Sequence, residues 1–315
     1  MRNRIPHKIS FLISVALLLF AAAFIIKEIR SYSYSEITQN IFPLHGRMIL
    51  ESLGFTLANY LVLTFYETIA FRAISNMLGY NKIAFASFIG YAFSNTIGLP
   101  LVSGSALRYR LYSQWGLSDL EIARVISLIT ITFWMGFSTL AGVVFVIEPI
   151  HFPIEIHLPG VSAHHLGAIL LVLVFAYLIF VFTPEHALKI KGIELARPPL
   201  KFVLPQMITS VTDLMLAGTV FYVLLPHPHA LSYFAFLGIY LLALLAGLIS
   251  QIPGGVGVFE TVMLTMLSPV CSKPAILGCL IAYRAIYFLF PLLTASGLLI
   301  SYEALSRRRA RKNSA

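Results

Sequence analysis

The stretch SQIPGGVGVFE, residues 250–260, interrupts one of the apolar runs of this chain. Its helix-weakening residues are Pro253, Gly254, Gly255 and Gly257. Proline lacks a backbone N–H and glycine loses more freedom than other residues on folding, so both disfavour a continuous helix. Glu260 follows three positions after the last glycine. Hydrocarbon offers no hydrogen bonds to exposed backbone, and we therefore expect this break to be buried in protein or to line a polar cavity.

The composition places the whole chain in a membrane. Of its 315 residues, 58% are hydrophobic and only 11% are charged, whereas soluble domains carry about 25% charged residues. Apolar stretches of about 18 residues or more recur, and each can cross a bilayer as a helix. The net charge of +9 comes from short basic clusters between apolar runs, a pattern typical of membrane topology rather than of nucleic-acid binding. The predicted fold class is an all-α polytopic membrane protein.

The chain contains about eight hydrophobic segments. They lie at 9–26, 48–70, 83–102, 123–148, 164–182, 202–225, 231–250 and 275–300. The first is long for a signal-peptide core and is closed by Lys27, so we expect a retained helix.

A constant offset relates the two halves of the sequence. Pro100 and Pro253 are 153 residues apart, as are Gly104 and Gly257. The same offset carries three segments of the first half onto segments of the second. It predicts one membrane domain, 1–315, made of two repeats, 1–152 and 153–306, with a basic tail, 307–315.

The charges between segments predict the topology. The linkers at 149–163 and 226–230 contain no Lys or Arg, whereas 183–201 and the tail are basic. Basic segments stay in the cytoplasm. This distribution is satisfied when the pieces around Pro100 and Pro253 are re-entrant hairpins. The resulting inverted repeat has six crossings and two hairpins, with both termini cytoplasmic.

Breaks at corresponding positions of two repeats are typical of a transporter's substrate site. The first is TIGLPLVSGS, residues 96–105, and the second is the stretch at 250–260. A helix that starts at each break would direct its positive end towards an anionic group such as phosphate. The alternative is that Gly and Pro only permit close helix packing.

Charged residues near the breaks define a candidate site for lipid binding and translocation. A charge at the bilayer centre costs roughly 2.5–3.5 kcal/mol, so Asp213 and Arg284 need an explanation. One interpretation pairs them with each other and lets Glu260 stabilise a helix start. The other has the arginines contact a lipid phosphate, with Asp213 and Glu260 as counter-charges or carriers of a coupling proton. The candidate residues are Asn95, Pro100, Gly104, Arg108, Arg110, Asp213, Pro253, Gly254, Gly255, Gly257, Glu260 and Arg284.

Three segments carry a resemblance to a known family. They are 88–118 (FIGYAFSNTIGLPLVSGSALRYRLYSQWGLS), 252–260 (IPGGVGVFE) and 282–293 (AYRAIYFLFPLL). Together they resemble the transmembrane region of bacterial lysylphosphatidylglycerol synthases, and more narrowly the stand-alone inner-membrane members. In longer relatives this region is regarded as a flippase, and a separate domain makes the lipid. The chain ends at Ala315, so the resemblance implies lipid handling without lipid synthesis.

The leading expectation is a flippase-like or lipid-transport protein of the bacterial inner membrane. Its predicted partner is a phospholipid with an anionic or aminoacylated headgroup, and a separate lipid-synthesis enzyme is a candidate second partner. No enzyme activity, cofactor, metal or nucleic acid is expected, since the sequence has no HExxH, Walker or GxSxG motif. The alternatives are an ion-coupled small-solute transporter and a membrane scaffold for a lipid-synthesis enzyme.

Overall fold

A computed structural model describes residues 44–76, 78–97, 103–148, 162–182, 189–190, 193–194, 200–226 and 231–312. The predicted first helix at 9–26, Pro100, and most of the linkers at 149–163 and 183–201 lie outside these residues.

The described chain consists of helices joined by short turns, together with one pair of very short strands. Up to residue 182 the described helices are α1 (Gly46–Ala73), α2 (Tyr80–Ile97), α3 (Ser103–Gln114), α4 (Asp119–Ile147) and α5 (Ala163–Phe182), of which α5 already belongs to the second half. Two antiparallel two-residue strands follow, β1 (Lys189–Ile190) and β2 (Ile193–Glu194), which the sequence did not predict. The second half continues with α6 (Leu200–Tyr222), α7 (Tyr233–Ser250), α8 (Val258–Leu267), α9 (Lys273–Tyr283) and α10 (Phe290–Lys312). A π-helical turn, Arg284–Leu289, joins α9 to α10 without a break. The all-α polytopic class is confirmed.

Six of the described helices are long and apolar enough to cross a membrane. Five of them coincide with predicted crossings: α1, α4, α5, α6 and the long helix that contains α9 and α10. The sixth is α7, which the sequence analysis assigned to the second hairpin. Exposed apolar side chains cover α5, where Val172 and Ile179 are 65% and 67% exposed. Such a surface fits contact with lipid tails.

In both predicted hairpins the second helix returns along the first, so that the residues before and after the hairpin lie close together. In the first half, α3 returns along α2, and Asn76 before α2 donates a 2.7 Å hydrogen bond to Glu121 at the start of α4. In the second half, α8 returns along α7, and the thiol of Cys271 contacts the carbonyl of Pro226, 3.8 Å away. Each hairpin therefore adds no net crossing between the helices that flank it.

The helix bounds support the predicted repeat. Both ends of α7 lie 153 residues beyond the ends of α2, and the end of α8 lies 153 residues beyond that of α3. In addition, α1 and α6 cross where Asn59 contacts Asp213, 154 residues later. A two-fold axis between inverted repeats brings equivalent positions together in this way. On these grounds we retain, as a proposal, the division into repeats 1–152 and 153–306.

The core forms two clusters that meet at Phe133 in α4. One cluster gathers side chains of α4, α6, α7, α8 and α9. The other gathers side chains of α1 to α4, and it also includes Leu292, Ala295 and Leu299 of α10. The last helix thus packs against the first hairpin.

Labelling of single cysteines tests the hairpins. In a background with Cys271→Ser and Cys279→Ser, we expect cysteines at Gly79 and Leu120 to react with a membrane-impermeant thiol reagent from one side. Cysteines at Phe234 and Val270 should react from the opposite side, because the second repeat is inverted. These positions are exposed at the ends of the hairpins.

The unsubstituted background should not react. Labelling of positions 79 and 120 from opposite sides would contradict the first hairpin, and the same result for 234 and 270 would contradict the second.

Candidate functional site

The second break is a tight loop built from glycines. A short 3₁₀ turn, Pro253–Gly255, is followed by Gly257 with φ of 88°, a conformation that side chains with a Cβ rarely adopt. Gly255 also packs on α7, where its added Cβ would lie 3.3 Å from the Cα of Gly247. The glycines therefore allow the chain to turn and lie against the helix that it has just left.

Glu260 holds this loop in two ways. One carboxylate oxygen accepts a 2.7 Å hydrogen bond from the backbone N–H of Gly257, which caps the start of α8. The other accepts a 2.7 Å hydrogen bond from Nε of Arg284. The same guanidinium donates from Nη1 to the carbonyl of Gly254, 2.9 Å away. The Glu260–Arg284 ion pair thus provides hydrogen-bond partners for one N–H group and one carbonyl group of the loop between α7 and α8.

Arg284 lies in the π-helical turn and is buried, with 3% of its surface exposed. Its guanidinium carbon is 4.8 Å from the ring centre of Phe288 and 6.0 Å from that of Phe259. Rings at these distances favour a cation. Turns of the π type are frequent at functional sites because they insert one extra residue and re-aim a side chain.

At the first break, α3 packs closely on α2 through glycines. An added Cβ on Gly104 would overlap the hydroxyl of Ser94, and one on Gly90 would lie 2.7 Å from the guanidinium carbon of Arg108. The side chain of Arg108 therefore fills the space that Gly90 leaves. From the sequence, close helix packing and a polar site are alternative reasons for these glycines. At the first break the glycines allow close packing and also leave room for a buried arginine.

Arg108 forms a buried ion pair with Glu67 of α1. Its Nε donates a 2.7 Å hydrogen bond to one carboxylate oxygen, and its guanidinium carbon lies 4.4 Å from the ring centre of Tyr91. Arg108 is 4% exposed and Glu67 is 0% exposed. Within the described structure, Nη2 of Arg108 and Oε2 of Glu67 are buried without a hydrogen-bond partner. The pair therefore retains unused capacity for hydrogen bonds.

Arg110 points to a different helix. It forms an ion pair with Glu303 of α10, and its side chain is 3% exposed. Two arginines on one short helix thus tie the first hairpin to α1 and to α10.

Asp213 lies apart from the arginines, at the crossing of α1 and α6. Its two carboxylate oxygens accept hydrogen bonds from Nδ2 of Asn59 at 2.7 Å and from the hydroxyl of Tyr66 at 2.8 Å. Asn59 in turn accepts a 3.0 Å hydrogen bond from Tyr287, in the π-helical turn. Of the two interpretations of Asp213 and Arg284, the one that pairs them with each other is wrong, because Arg284 turns towards the second break and binds Glu260.

Two of the relatives match this chain over nearly the full length of both proteins. The uncharacterized protein slr0712 of Synechocystis is 38% identical over 300 residues, which are 95% of this chain and 93% of that protein. The inner membrane protein YbhN of Escherichia coli is 32% identical over 307 residues, 97% of this chain and 94% of YbhN. The chain belongs to the YbhN family. It is accordingly a multi-pass inner membrane protein, as the sequence predicted.

A more distant relative extends the comparison to lipid enzymes. The phosphatidylglycerol lysyltransferase of Staphylococcus aureus is 26% identical over 311 residues, which cover 96% of this chain but 35% of that protein. The matched part is its transmembrane region. The predicted resemblance is thereby confirmed, and it supports a membrane role related to lipids. No protein-family model matches the chain.

The structure of this YbhN-family protein groups the candidate residues into three places. Gly104, Arg108 and Arg110 lie on or beside the first hairpin, where Pro100 is not described. Asn95, in the last turn of α2, lies beside the hydroxyl of Tyr60. The second break unites Pro253, Gly254, Gly255, Gly257, Glu260 and Arg284. Asp213 occupies the third place, together with Asn59.

Sequence reasoning missed the acids that accompany the first-half arginines. Glu67 and Glu303 lie on α1 and α10, and only the packing of these helices brings them to α3. For Glu67 a signal existed, since it is an acid within the apolar segment 48–70. Glu303 lies beyond the apolar part of the last helix, where acids are common.

Neutralising Glu67 tests the buried pair. We expect Glu67→Gln to lower the free energy of unfolding in mixed micelles by about 3–5 kcal/mol, since it leaves Arg108 buried without a counter-charge. The matched control is Glu51→Gln on the same helix, because Glu51 pairs with the exposed Arg47 at 2.7 Å. It should be indistinguishable from the wild type.

The double variant Glu67→Gln/Arg108→Gln should recover part of the loss, since no uncompensated charge remains. A loss no greater than that of Glu51→Gln would show that Arg108 does not depend on this acid.

Proposed function

We propose that this protein moves an anionic phospholipid between the leaflets of the inner membrane, with the lipid phosphate received by arginines at the two breaks. The observation that carries the proposal is that each break has a buried arginine held by an acid, Arg108 by Glu67 and Arg284 by Glu260. Backbone that is not helical survives at membrane depth only where protein or water satisfies it, and such places are substrate sites in transporters.

A phosphate can replace the acid on either arginine. The guanidinium group presents a planar fork of donors that fits carboxylate and phosphate alike. In the structure the carboxylates of Glu67 and Glu260 occupy these forks, as the phosphate would during transport. The atoms left without partners in the Arg108–Glu67 pair favour the exchange, since a phosphate brings more acceptor oxygens than one carboxylate.

The second break restricts where a phosphate could bind. The N–H of Gly257 already bonds Glu260, so the start of α8 is capped by the protein's own acid. A phosphate at this break must therefore displace Glu260 from Arg284. The sequence alone predicts that the N-terminus of this helix binds the phosphate. In the present proposal Arg284 binds it instead.

The relatives favour a lipid over a soluble solute. The transferase whose transmembrane region matches this chain bears a name that states a phospholipid as its substrate, phosphatidylglycerol. We extend to this chain a role in handling phospholipid of that kind, with the headgroup left to experiment.

Leaflet-resolved labelling in reconstituted vesicles tests the proposal. Vesicles would carry phosphatidylglycerol with a fluorophore that an impermeant reductant destroys, so that only the outer leaflet is bleached at once. The wild-type protein should move labelled lipid from the inner to the outer leaflet, so that the remaining fluorescence also decays. Arg108→Ala and Glu260→Gln should slow this at least about tenfold, as expected for the loss of a hydrogen bond to a charged group.

The matched control is Arg47→Ala, which removes an arginine from an exposed pair and should leave the rate unchanged. A glycolipid with the same fluorophore but no phosphate should stay in its leaflet. Equal bleaching by wild-type and empty vesicles would overturn the proposal, and uptake of a soluble substrate in its place would support the solute transporter.

A further inference from the structure

Asp213 is a buried acid whose partners among the described residues are neutral. It is 6% exposed, and within the described part of the chain its carboxylate oxygens accept hydrogen bonds from Asn59 and Tyr66 alone. Among the described residues no Lys, Arg or His comes within 4.0 Å of it. Its position therefore differs from those of Glu67, Glu260 and Glu303, each of which is held by an arginine.

The groups around Asp213 do not compensate its charge. Five tyrosines from α1, α2, α7 and the π-helical turn lie within electrostatic range of the carboxylate: Tyr60, Tyr66, Tyr91, Tyr240 and Tyr287. Close to Asp213, α4 packs on Ser210 of α6 through Phe133 and Gly136. Both of these residues of α4 are uncharged. Arg284 is engaged with Glu260 and Gly254.

An unpaired acid inside a membrane protein is neutralised by an ion or by a proton. The cluster is poorly suited to a metal ion, because the described residues include no group of three His, Cys, Asp or Glu side chains that could hold one. Its other oxygens are also in use: the backbone carbonyl of Asp213 accepts from Asn59, and the side-chain oxygen of Asn59 accepts from Tyr287. A proton needs only one free lone pair on the carboxylate.

The same cluster connects to the second break. Asn59 bonds both Asp213 and Tyr287, and Tyr287 lies three residues after Arg284 in the π-helical turn. Asn59 therefore links the carboxylate of Asp213 to the hydroxyl of Tyr287 through two hydrogen bonds. The turn that carries Tyr287 also aims Arg284 at Glu260.

We propose that Asp213 is the coupling-proton site, which takes up one proton on a carboxylate oxygen from water on one side and releases it to water on the other in each lipid cycle. This rests on the proposed lipid transport and assigns its energy source. It also assigns different roles to two acids that the sequence did not distinguish. Glu260 is the counter-charge of Arg284, and Asp213 carries the proton.

The first experiment measures lipid distribution under a pH gradient. Wild-type protein in one orientation, with the membrane potential collapsed, should drive labelled phosphatidylglycerol into one leaflet, and reversal of the gradient should drive it into the other. The leaflet ratio for one proton per lipid is at most about tenfold per pH unit. With Asp213→Asn, a neutral isostere, the leaflet ratio should no longer respond to the gradient.

The matched control is Asp119→Asn, since Asp119 is exposed at the start of α4 and bonds only Tyr109 among the described contacts. It should respond to the gradient as the wild type does. An Asp213→Asn variant that still concentrates lipid with the gradient would overturn the proton site while leaving lipid transport intact.

The second experiment does not depend on lipid movement. Infrared difference spectra of the purified protein, recorded between acidic and alkaline pH, should contain the carbonyl stretch of a protonated carboxyl that Asp213→Asn lacks. Asp119→Asn should keep this band. Tyr66→Phe should keep it at a higher frequency, because one hydrogen bond to the carboxyl is lost.

The two experiments fail in different ways. A titrating band in a protein that moves no lipid would overturn lipid transport and keep the proton site. Absence of a band assignable to Asp213, in a wild-type protein that moves lipid, would overturn the proton site alone. The Tyr66→Phe spectrum keeps the assignment testable should Asp213→Asn fail to fold.

Discussion

Peptide groups at the point where a helix is interrupted lose their partners within the helix, and the second break shows how side chains of this protein replace two of these hydrogen bonds. Arg284 donates to the carbonyl of Gly254, and Glu260 accepts from the N–H of Gly257. Because these two side chains also bond each other, the loop and the ion pair stabilise one another. The π-helical turn, the glycines and the return of α8 all serve to bring these groups together.

The buried arginines are compensated one by one. Each has its own acid, and the acids come from α1, α8 and α10. A site of paired charges is electrically neutral when no ligand is bound, which limits the cost of burying it. In the proposed function, an anion binds an arginine only when its acid has released it, so anion binding would be coupled to a rearrangement of the helices that carry the acids. In the proposed lipid transport, such coupling would let the site face the two leaflets in turn.

The sequence predicted the helical class, the paired breaks and the polar residues nearest to them. These follow from composition and from Gly and Pro positions, which act locally. It did not predict Glu67 and Glu303 as partners, since their roles arise from packing between distant helices. The Asp213–Arg284 pair was wrong for the same reason: opposite charges in two apolar segments do not fix which groups meet. The strands at 189–190 and 193–194 are too short for any periodicity to reveal.

The crossing of α1 and α6 has a consequence for how such a molecule can be assembled. The offset of 153 pairs Asn59 with Thr212 and Tyr60 with Asp213, so the contact between Asn59 and Asp213 falls almost on the proposed axis. In a homodimer of identical half-chains, a residue on that axis would face its own copy, and an acid would meet an acid. Joining both halves in a single polypeptide removes this restriction. A solitary carboxylate at the centre of the molecule is then possible, with an amide in place of the second acid.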